Sequence, residues 1–466
     1  MADRQTTDIS EIIEKQRLTA FVIRLVLLSW IVVFFDGFDM NVIAFVAPDL
    51  SSLLHLNRLM LAKVFSTGLF GTMIGGFVFG YLGDRIGRRP SIILATASFG
   101  VLTFGLVLPH TYGQLLALRL IQGIAIGGLL PLCWVLNIEY VPRRYRSTVV
   151  TLIMLGYTIG NSFAGPFTVW MVPRHGWQSV FIFGGCAALL ATGFLVLFLP
   201  ESIRYLTTKN KRPELVAKIV RRLAPARPVD RADRFVVSDE TGRGGEGFSV
   251  SMLFRNELRW ITPLLWTAYM ASSVAVFFGN TWGPTVLQTL GFSRSTAALA
   301  VAVNSLGGAL GGLLLMRFTD TRGAISIAAL PVVSVPILLT LGLTNLTGSA
   351  FLVLNFFSTM FIVGTHFGMH SIAGIFYPSA YRANGAGWAT SVAKVGSILG
   401  PLIPGMVLSS RLPVKAIFTI FAVCPCVVGI AVVSIGVLQR RMSRRDAGLQ
   451  GAHSVASLAA EGAPPE

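Results

Sequence analysis

The sequence predicts an all-α membrane protein of twelve transmembrane helices, arranged as two six-helix, pseudo-symmetric halves. Three observations carry this prediction. Of the 466 residues, 53% are hydrophobic and only 13% are charged, about half the charged fraction of a soluble domain. The apolar residues fall in runs that are long enough to cross a bilayer. A shift of 236 residues, which places Asp84 on Asp320, superposes motifs of the first half on the second. A water-soluble enzyme of this size needs far more polar surface, so that class is excluded.

Each predicted helix is an apolar run of about 20 residues, the length that spans a hydrocarbon core about 30 Å thick. The runs cover residues 22–47, 60–82, 91–109, 113–138, 148–171, 178–199, 259–288, 295–317, 324–344, 349–377, 384–408 and 414–438. Residues 1–21 are polar and mixed in charge, and the first run contains Asp36 and Asp39, so we expect no cleavable signal peptide. An even number of helices then places both termini on one side of the membrane.

The excess of positive charge predicts the orientation in the membrane. The net charge is +17, and of the 38 Lys and Arg residues 28 lie in the termini and loops of one side, against six on the other. Cytoplasmic loops carry such an excess. We therefore expect both termini to lie in the cytoplasm, with the chain in the inner (cytoplasmic) membrane, and we expect no nucleic-acid partner.

A long loop rich in Arg, Pro and Gly divides the helices six and six, and its composition is typical of a surface linker with a short amphipathic helix. The predicted organisation is a cytoplasmic N-terminus (1–21), a first half (22–199), a cytoplasmic linker (200–258), a second half (259–438) and a disordered cytoplasmic tail (439–466). The four cysteines lie in apolar runs without the spacing of metal ligands, so we expect no metal site there.

The internal repeat extends beyond glycine, which is abundant in this chain. The same shift of 236 residues places Pro142 on Pro378, Tyr145 on Tyr381 and Arg146 on Arg382. Six helices return the chain to the same side, so the repeat is parallel, with a pseudo-twofold axis along the membrane normal. This arrangement is typical of secondary transporters, whose site lies between the halves near the midplane.

Three segments resemble motifs of the major facilitator superfamily. Residues 80–89, Gly-Tyr-Leu-Gly-Asp-Arg-Ile-Gly-Arg-Arg, are similar to its hallmark loop between helices 2 and 3, and residues 317–323 to the second copy of that loop. The pattern Leu115, Arg119, Gln122 and Gly123 resembles the motif of its fourth helix. The resemblance implies the twelve-helix fold of this superfamily.

Within the superfamily, the sequence resembles the aromatic acid:proton symporters. The similar segments are Asp-Gly-Phe-Asp at 36–39 and residues 139–143, 200–204, 385–388 and 396–401. The resemblance implies a proton-coupled symporter that imports an aromatic or related organic acid by alternating access. It would need no cofactor, because the proton gradient supplies the energy. Its partners would be the lipid bilayer, protons and the acid, and we expect a monomer.

Two positions depart from the family pattern. Lys394 stands where the family commonly has an arginine, so the charge is kept but the bidentate geometry is lost. Residues 365–370, Thr-His-Phe-Gly-Met-His, replace a stretch rich in Gln and Asn. The identity of the acid is therefore open.

Asp36 and Asp39 are the candidates for proton coupling. They lie three residues apart, on one face of the first helix and near its middle. A charge at this depth costs about 2.5–3.5 kcal/mol on insertion scales, so these carboxyl groups should face protein or water. Arg119, on the fourth helix, reaches a similar depth and can pair with Asp39. The alternative is a static ion pair that only holds the two helices together.

Lys394 is the candidate for binding the substrate carboxylate, because it lies near the midplane of the second half. The alternative is a fixed ion pair with Asp36 or Asp39. Other candidate contacts are the aromatic residues Phe278, Trp282 and Trp388, the amides Asn280 and Asn304, and His366. The aromatic residues could instead face lipid. His366 and His370, spaced i, i+4, could be hydrogen-bonded core residues or contacts for substrate or protons; a metal would need a third ligand that the sequence does not offer.

Charged residues at the cytoplasmic helix ends form a candidate gate. They are Asp84, Arg85, Arg88, Arg89, Glu139, Arg143, Arg146, Asp320 and Arg382. We expect them to close the inner face and to separate when the halves rock, so that they control rate rather than substrate choice. Two other transporter classes match parts of the sequence. A proton-driven efflux antiporter is the main alternative, because Gly156, Gly160, Gly165 and Pro166 partly match an antiporter motif. A sugar transporter is disfavoured, because helix 7 of this sequence lacks the paired glutamines of that family.

Overall fold

The computed structural model describes residues 6–16, 18–209, 212–223, 234–237, 249–255, 258–322, 327–377, 382–410 and 412–438. Side chains are described over the same ranges except at 6, 234, 316–322, 370–376 and 382–384. In chain order the elements are β1 (Thr6–Asp8), α1 (Ile9–Lys15), α2 (Ala20–Leu54), α3 (Arg58–Ile86), α4 (Arg88–Gly105), α5 (Tyr112–Gly127), α6 (Leu129–Tyr140), α7 (Arg143–His175), α8 (Gln178–Phe198), α9 (Ile203–Thr208), α10 (Pro213–Leu223), β2 (Arg234–Val236), a 3-10 helix (Val250–Phe254), α11 (Leu258–Thr289), α12 (Arg294–Arg322), α13 (Ala329–Leu343), α14 (Gly348–Phe376), α15 (Arg382–Ser409) and α16 (Ala416–Leu438).

Ten of the twelve predicted transmembrane helices are confirmed, among the described residues, as long and apolar enough to cross a membrane; α5 and α6 together form one of them. The other two are shorter. The helix α4 has 18 residues and begins with Arg88 and Arg89, and α13 has 15 residues. A bilayer needs about 20 residues, so these two helices alone do not establish spans. The predicted start of the ninth span, at 324–326, lies outside the described residues.

The repeat is visible in the helix bounds themselves. A shift of 236 residues maps α3, at 58–86, onto α12, at 294–322, and maps the start of α5 and the end of α6 onto the bounds of α14, at 348–376. Packing repeats as well: α2 lies along α7 and α3 along α5, as α11 lies along α15 and α12 along α14. We call α2–α8 the first helix set and α11–α16 the second.

Glycine allows the close approach of paired helices. A Cβ added at Gly160 of α7 would collide with the carbonyl oxygen of Phe34 on α2, and one at Gly123 of α5 would collide with that of Gly68 on α3. In the second set, a Cβ at Gly396 of α15 would collide with the carbonyl of Met270 on α11. The two sets meet along α3 and α15, along α7 and α12, and along α2 and α11.

A small cap covers one end of the first set, which we call the linker face. It consists of α1, the linker helices α9 and α10, and the parallel pair of β1 with β2, in which Thr7 faces Phe235. Gln16 donates to the carbonyl oxygen of Tyr140 at 2.5 Å and so fastens the N-terminal segment to the end of α6. The sequence predicts the amphipathic helix of the linker, which is α10, but neither strand. The other end of the bundle is the opposite face.

Candidate functional site

A buried polar network surrounds Asp39 on α2. Gln122 of α5 donates from Nε2 to both carboxylate oxygens, at 3.0 and 3.2 Å, and Thr103 of α4 donates to Oδ1 at 3.4 Å. Arg119 of α5 donates to Gln122 Oε1 at 2.7 Å, and its Nη1 lies 3.9 Å from Asp39 Oδ2. All four side chains are buried. The network thus joins a carboxyl group and a guanidinium from different helices in one hydrogen-bonded unit.

Local sequence explains how α5 presents Arg119 and Gln122 together. The two residues are spaced i, i+3 and so lie on one helix face. The helix begins at a capping box in which Thr111 and Gln114 bond each other's backbone, which fixes where its first turn starts. On the facing helix α3, Gly68 leaves room for the guanidinium: a Cβ there would lie 2.9 Å from Arg119 Nη2.

Asp36 and Lys394 form a second, looser charge pair across the two helix sets. Asp36 is buried on α2, and Lys394 is partly buried on α15. Their charges interact electrostatically, although Lys394 makes no ion pair within 4.0 Å of any described carboxylate. Its Nζ instead lies 3.4 Å from the carbonyl oxygen of Thr72 on α3. The ammonium group of Lys394, in the second set, therefore contacts the backbone of the first set.

A small central cavity lies between the two sets, beside this network. Its volume is about 10 Å³, which is room for roughly one water molecule. Its polar lining comes from Asn41, Arg119 and Tyr157 of the first set and from Asn280 and Thr281 of the second. In this conformation the centre of the molecule is too small for an organic acid.

A second cavity, of about 60 Å³, lies within the second set between α11, α12 and α14. Three predicted substrate contacts line it: Phe278, Asn280 and Asn304. Phe278 already stacks on Phe421 of α16, with ring centroids 4.0 Å apart. Asn280 lines both cavities, so it connects the cavity beside Phe278 with the central cavity that Arg119 lines.

The remaining predicted substrate contacts do not line these two cavities. Trp282 is fully buried, donates to the Pro401 carbonyl at 2.9 Å and packs edge-on against Phe65 of the first set. Trp388 is 41% exposed and stacks on Trp266, so the structure does not bring it to either cavity. The Nδ1 of His366 lies 3.0 Å from Ser272 Oγ, and the side chain of His370 lies outside the described residues.

The predicted gate residues whose side chains the structure describes make the following bonds within the first set and its cap. Arg88 pairs with Asp84 at 2.7 Å and with Glu139 at 3.5 Å, and Glu139 accepts from the Ser202 hydroxyl. The others bond as follows: Arg85 donates to the Tyr81 hydroxyl, Arg89 to the Val196 carbonyl, the Arg143 backbone to Glu14, and Arg146 to the Val141 carbonyl. The side chains of Asp320 and Arg382 lie outside the described residues.

Gly87 gives the hallmark turn between α3 and α4 its shape. Its φ of +111° lies in the region that favours glycine. A Cβ there would collide with the Glu201 carboxylate, which accepts from the backbone N–H of Arg89 at 3.0 Å.

The two sets are closed against each other at the opposite face. Arg294 of α12 pairs with Asp49 of α2 at 2.6 Å, and Arg58 of α3 donates to the Leu408 carbonyl of α15 at 2.8 Å. Near the linker face, by contrast, a cleft of about 490 Å³ separates the sets. Its lining includes Trp134, Arg146 and Met154 from the first set and Phe367 from the second. Among the described residues, the sets therefore contact each other at the opposite face and are separated by a cleft near the linker face.

Several residues of the site have little or no functional signal in the sequence alone. Thr103 carries no sequence signal, because a single threonine in an apolar run commonly bonds only its own helix. Gln122 belongs to the fourth-helix motif, and its i, i+3 spacing from Arg119 was the available signal. Asp49 and Arg294 lie 245 residues apart, and nothing in their local sequences connects them.

Comparison with known proteins agrees with this architecture. The family model described as Major Facilitator Superfamily matches residues 29–401. Among curated proteins, the chain is 29% identical over 430 residues to a gallate transporter of Pseudomonas putida, covering 92% of this chain and 95% of that protein. It is 30% identical over 446 residues to the 4-hydroxybenzoate transporter PcaK of Pseudomonas aeruginosa, covering 95% and 97%.

Solved structures show the same fold. The xylose transporter XylE from E. coli, in a partially occluded inward-open conformation, matches with a TM-score of 0.69 at 17% identity, over 89% of this chain and 97% of that one. The family match, the curated relatives and the repeated helix bounds agree. The chain belongs to the major facilitator superfamily, and it is a membrane transporter rather than an enzyme.

Proposed function

We propose that this transporter imports an aromatic or related organic acid together with protons by alternating access. The observation that carries the proposal is the cluster of two carboxyl groups and two cations, the buried Asp36, Asp39 and Arg119 with the partly buried Lys394, which spans both helix sets beside the central cavity. The names of the curated relatives supply the substrate class. Both termini and the linker face lie in the cytoplasm in this proposal.

The proton step belongs to Asp36 and Asp39. Burial favours the uncharged form of a carboxyl group, and a nearby cation favours the charged form. Arg119 and Gln122 hold Asp39 in a fixed network, whereas the cation that acts on Asp36 is the more distant Lys394. A change in the distance between the two helix sets alters the surroundings of Asp36 in particular, so movement of the sets changes its proton affinity.

The substrate step belongs to Lys394 and the second set. An ammonium whose described contact is a backbone carbonyl can exchange that contact for a carboxylate, which gives a stronger charge-assisted bond. Asn280 and Asn304 then offer amide groups to ring hydroxyls, and Phe278 offers an aromatic face. Because the central cavity holds roughly one water, binding requires the sets to separate there first.

Uptake into proteoliposomes tests the proposal. Purified protein is offered labelled gallate, 4-hydroxybenzoate and benzoate, with xylose as a control, with and without an alkaline interior. We expect accumulation of at least one aromatic acid only with the gradient. Asp36→Asn and Asp39→Asn should lose that accumulation and keep some counterflow exchange, while Glu11→Gln, an exposed carboxylate of α1, should behave as wild type.

Two results would overturn the proposal. Full accumulation by both aspartate variants would remove the assigned proton step. Accumulation of these acids driven by the opposite proton gradient, an acidic interior, without accumulation at an alkaline interior, would establish the efflux antiporter instead.

A further inference from the structure

A large cavity lies away from the transport site, at the linker face. It has a volume of about 880 Å³ and lies between the ends of α2, α4 and α8 and the linker helices α9 and α10. We call it the interfacial cavity, because α2, α4 and α8 reach the membrane surface there. The mechanism proposed above does not use it.

The lining of the interfacial cavity is strongly basic. It contains five cations, which are Arg24, Arg89, Arg212, Lys218 and Arg222. Its carboxylate is Glu201, which already accepts from the backbone N–H groups of Arg89 and Ser202. None of the five cations forms an ion pair with a described residue. Like charges at this density repel one another and attract an anion.

The cavity also has an apolar edge on its membrane side. Phe21, Leu197 and Phe198 line it, and the Arg24 guanidinium lies 5.8 Å from the ring centroids of both phenylalanines. Exposed apolar side chains continue from there along the lipid-facing surfaces of α2 and α8. They are Ile23 (51% exposed), Leu27 (55%), Leu190 (68%), Phe194 (54%) and Leu197 (73%).

The amphipathic helix α10 forms one wall of the cavity. Its apolar residues Val216, Ile219 and Val220 are buried against the protein, while Lys218 and Arg222, spaced i, i+4, line the cavity together. A basic amphipathic helix beside transmembrane helices is the arrangement that attracts anionic lipid headgroups.

We propose that the interfacial cavity binds the headgroup of an anionic phospholipid, whose acyl chains lie along the apolar surfaces of α2 and α8. The basic lining alone would fit any phosphate. The apolar continuation toward the bilayer favours a lipid, because it offers contact to chains that a free phosphate lacks.

Native mass spectrometry of the full-length protein in detergent tests this site. Phosphatidylglycerol should bind with defined stoichiometry and more tightly than phosphatidylcholine. Arg24→Gln/Arg222→Gln should weaken phosphatidylglycerol binding about thirty-fold, because each basic residue near an anionic surface contributes about 1 kcal/mol and 1.4 kcal/mol is a factor of ten. The matched control is Arg255→Gln/Arg259→Gln, which removes two exposed charges before and at the start of α11, where Arg259 lies over Trp260; its binding should stay within twofold of wild type.

A thermal shift provides the second measurement if the double variant is poorly produced. Phosphatidylglycerol should raise the melting temperature of the wild type, and Lys218→Gln should reduce that rise. Equal binding of the two lipids, or an equal loss in the control variant, would overturn the site. Binding of inorganic phosphate or glycerol phosphate as tight as that of phosphatidylglycerol would show an anion site rather than a lipid site.

Discussion

Gln122 donates its side-chain amide to both carboxylate oxygens of Asp39, at 3.0 and 3.2 Å. Arg119, which donates to the amide oxygen, lies 3.9 Å from Asp39. The amide thus stands between guanidinium and carboxylate. Because the close bonds pass through Gln122, protonation of one Asp39 oxygen would first weaken a bond from the amide and would affect Arg119 through it.

A threonine pair on α4 tests this network. Thr103 and Thr96 are both buried, but Thr103 contacts Asp39 and Gln122, while Thr96 donates only to the Ile92 carbonyl in its own helix. Thr103→Val should lower gradient-driven uptake about three- to tenfold, since a hydrogen bond contributes about 0.5–1.5 kcal/mol. Thr96→Val should keep wild-type uptake. Equal loss in both variants would indicate a packing effect and contradict the assigned role.

Substitution of Lys394 separates charge from geometry. Lys394→Arg should remain active, with altered preference among aromatic acids, because it keeps the charge. Lys394→Gln should weaken acid binding by about one to two decades, the scale of a charge-assisted bond of about 1.5–3 kcal/mol. Ligand-induced thermal stabilisation measures this, with Lys415→Gln as the control, since Lys415 Nζ also bonds a backbone carbonyl, that of Thr344.

The competing role of Lys394, as a fixed partner of Asp36, gives a different result. In that case Lys394→Gln would lower stability in the absence of any acid, and Lys394→Gln/Asp36→Asn would restore it. Undiminished stabilisation by acids in Lys394→Gln would show that another residue, Arg119 first among them, holds the carboxylate.

Asp84 should control turnover rather than binding. Its side chain is 76% exposed at the linker face and pairs with Arg88 one turn along the chain, so it does not contact the central cavity. Asp84→Asn should lower the initial transport rate far more than it weakens equilibrium binding of the acid. Glu11→Gln breaks another exposed i, i+4 pair, with Lys15, and should change neither. A parallel fall in binding and rate for Asp84→Asn would make it a folding or site residue.

The ion pair of Asp49 with Arg294 should favour closure of the opposite face. It is partly exposed, and such pairs contribute up to about 1 kcal/mol, so Asp49→Asn should raise the open fraction up to about fivefold. Labelling of Thr281→Cys in the central cavity, by an impermeant maleimide added at the opposite face, reports that fraction. The exchange Asp49→Arg/Arg294→Asp should lower the labelling rate again. An unchanged rate in Asp49→Asn would mean that other contacts keep this face closed.

The sequence predicts best those parts of the molecule that contain a residue or a pattern with a high energetic cost in any other environment. Asp36, Asp39 and Arg119 stand out because charges are rare within apolar runs, and depth along the helices indicates that Asp39 and Arg119 meet. Helix bounds follow from the apolar runs and from the repeat. Neutral polar residues such as Thr103 give no such signal, since they are tolerated in many places.

Contacts between distant segments are also invisible to local patterns. The positions of Trp282 and Trp388 illustrate this: both are aromatic residues in apolar runs, yet one lies buried between the helix sets and the other stacks near the surface. The rotation of each helix about its own axis decides whether such a residue is buried or lies near the surface, and this rotation depends on packing across the bundle. The short β1 and β2 have three residues each, too few for an alternating pattern to predict them.

The pairing of β1 with β2 has a consequence for biosynthesis. Its two segments, residues 6–8 and 234–236, begin 228 positions apart, so the ribosome completes all seven helices α2–α8 before the second strand exists. The 230 residues after Val236 then take about 10–50 s to translate at about 5–20 residues per second. During that interval the nascent N-terminus can pair with the linker and close the first set on itself. Pairing within that interval would let the second set enter the membrane beside a first set that is already closed.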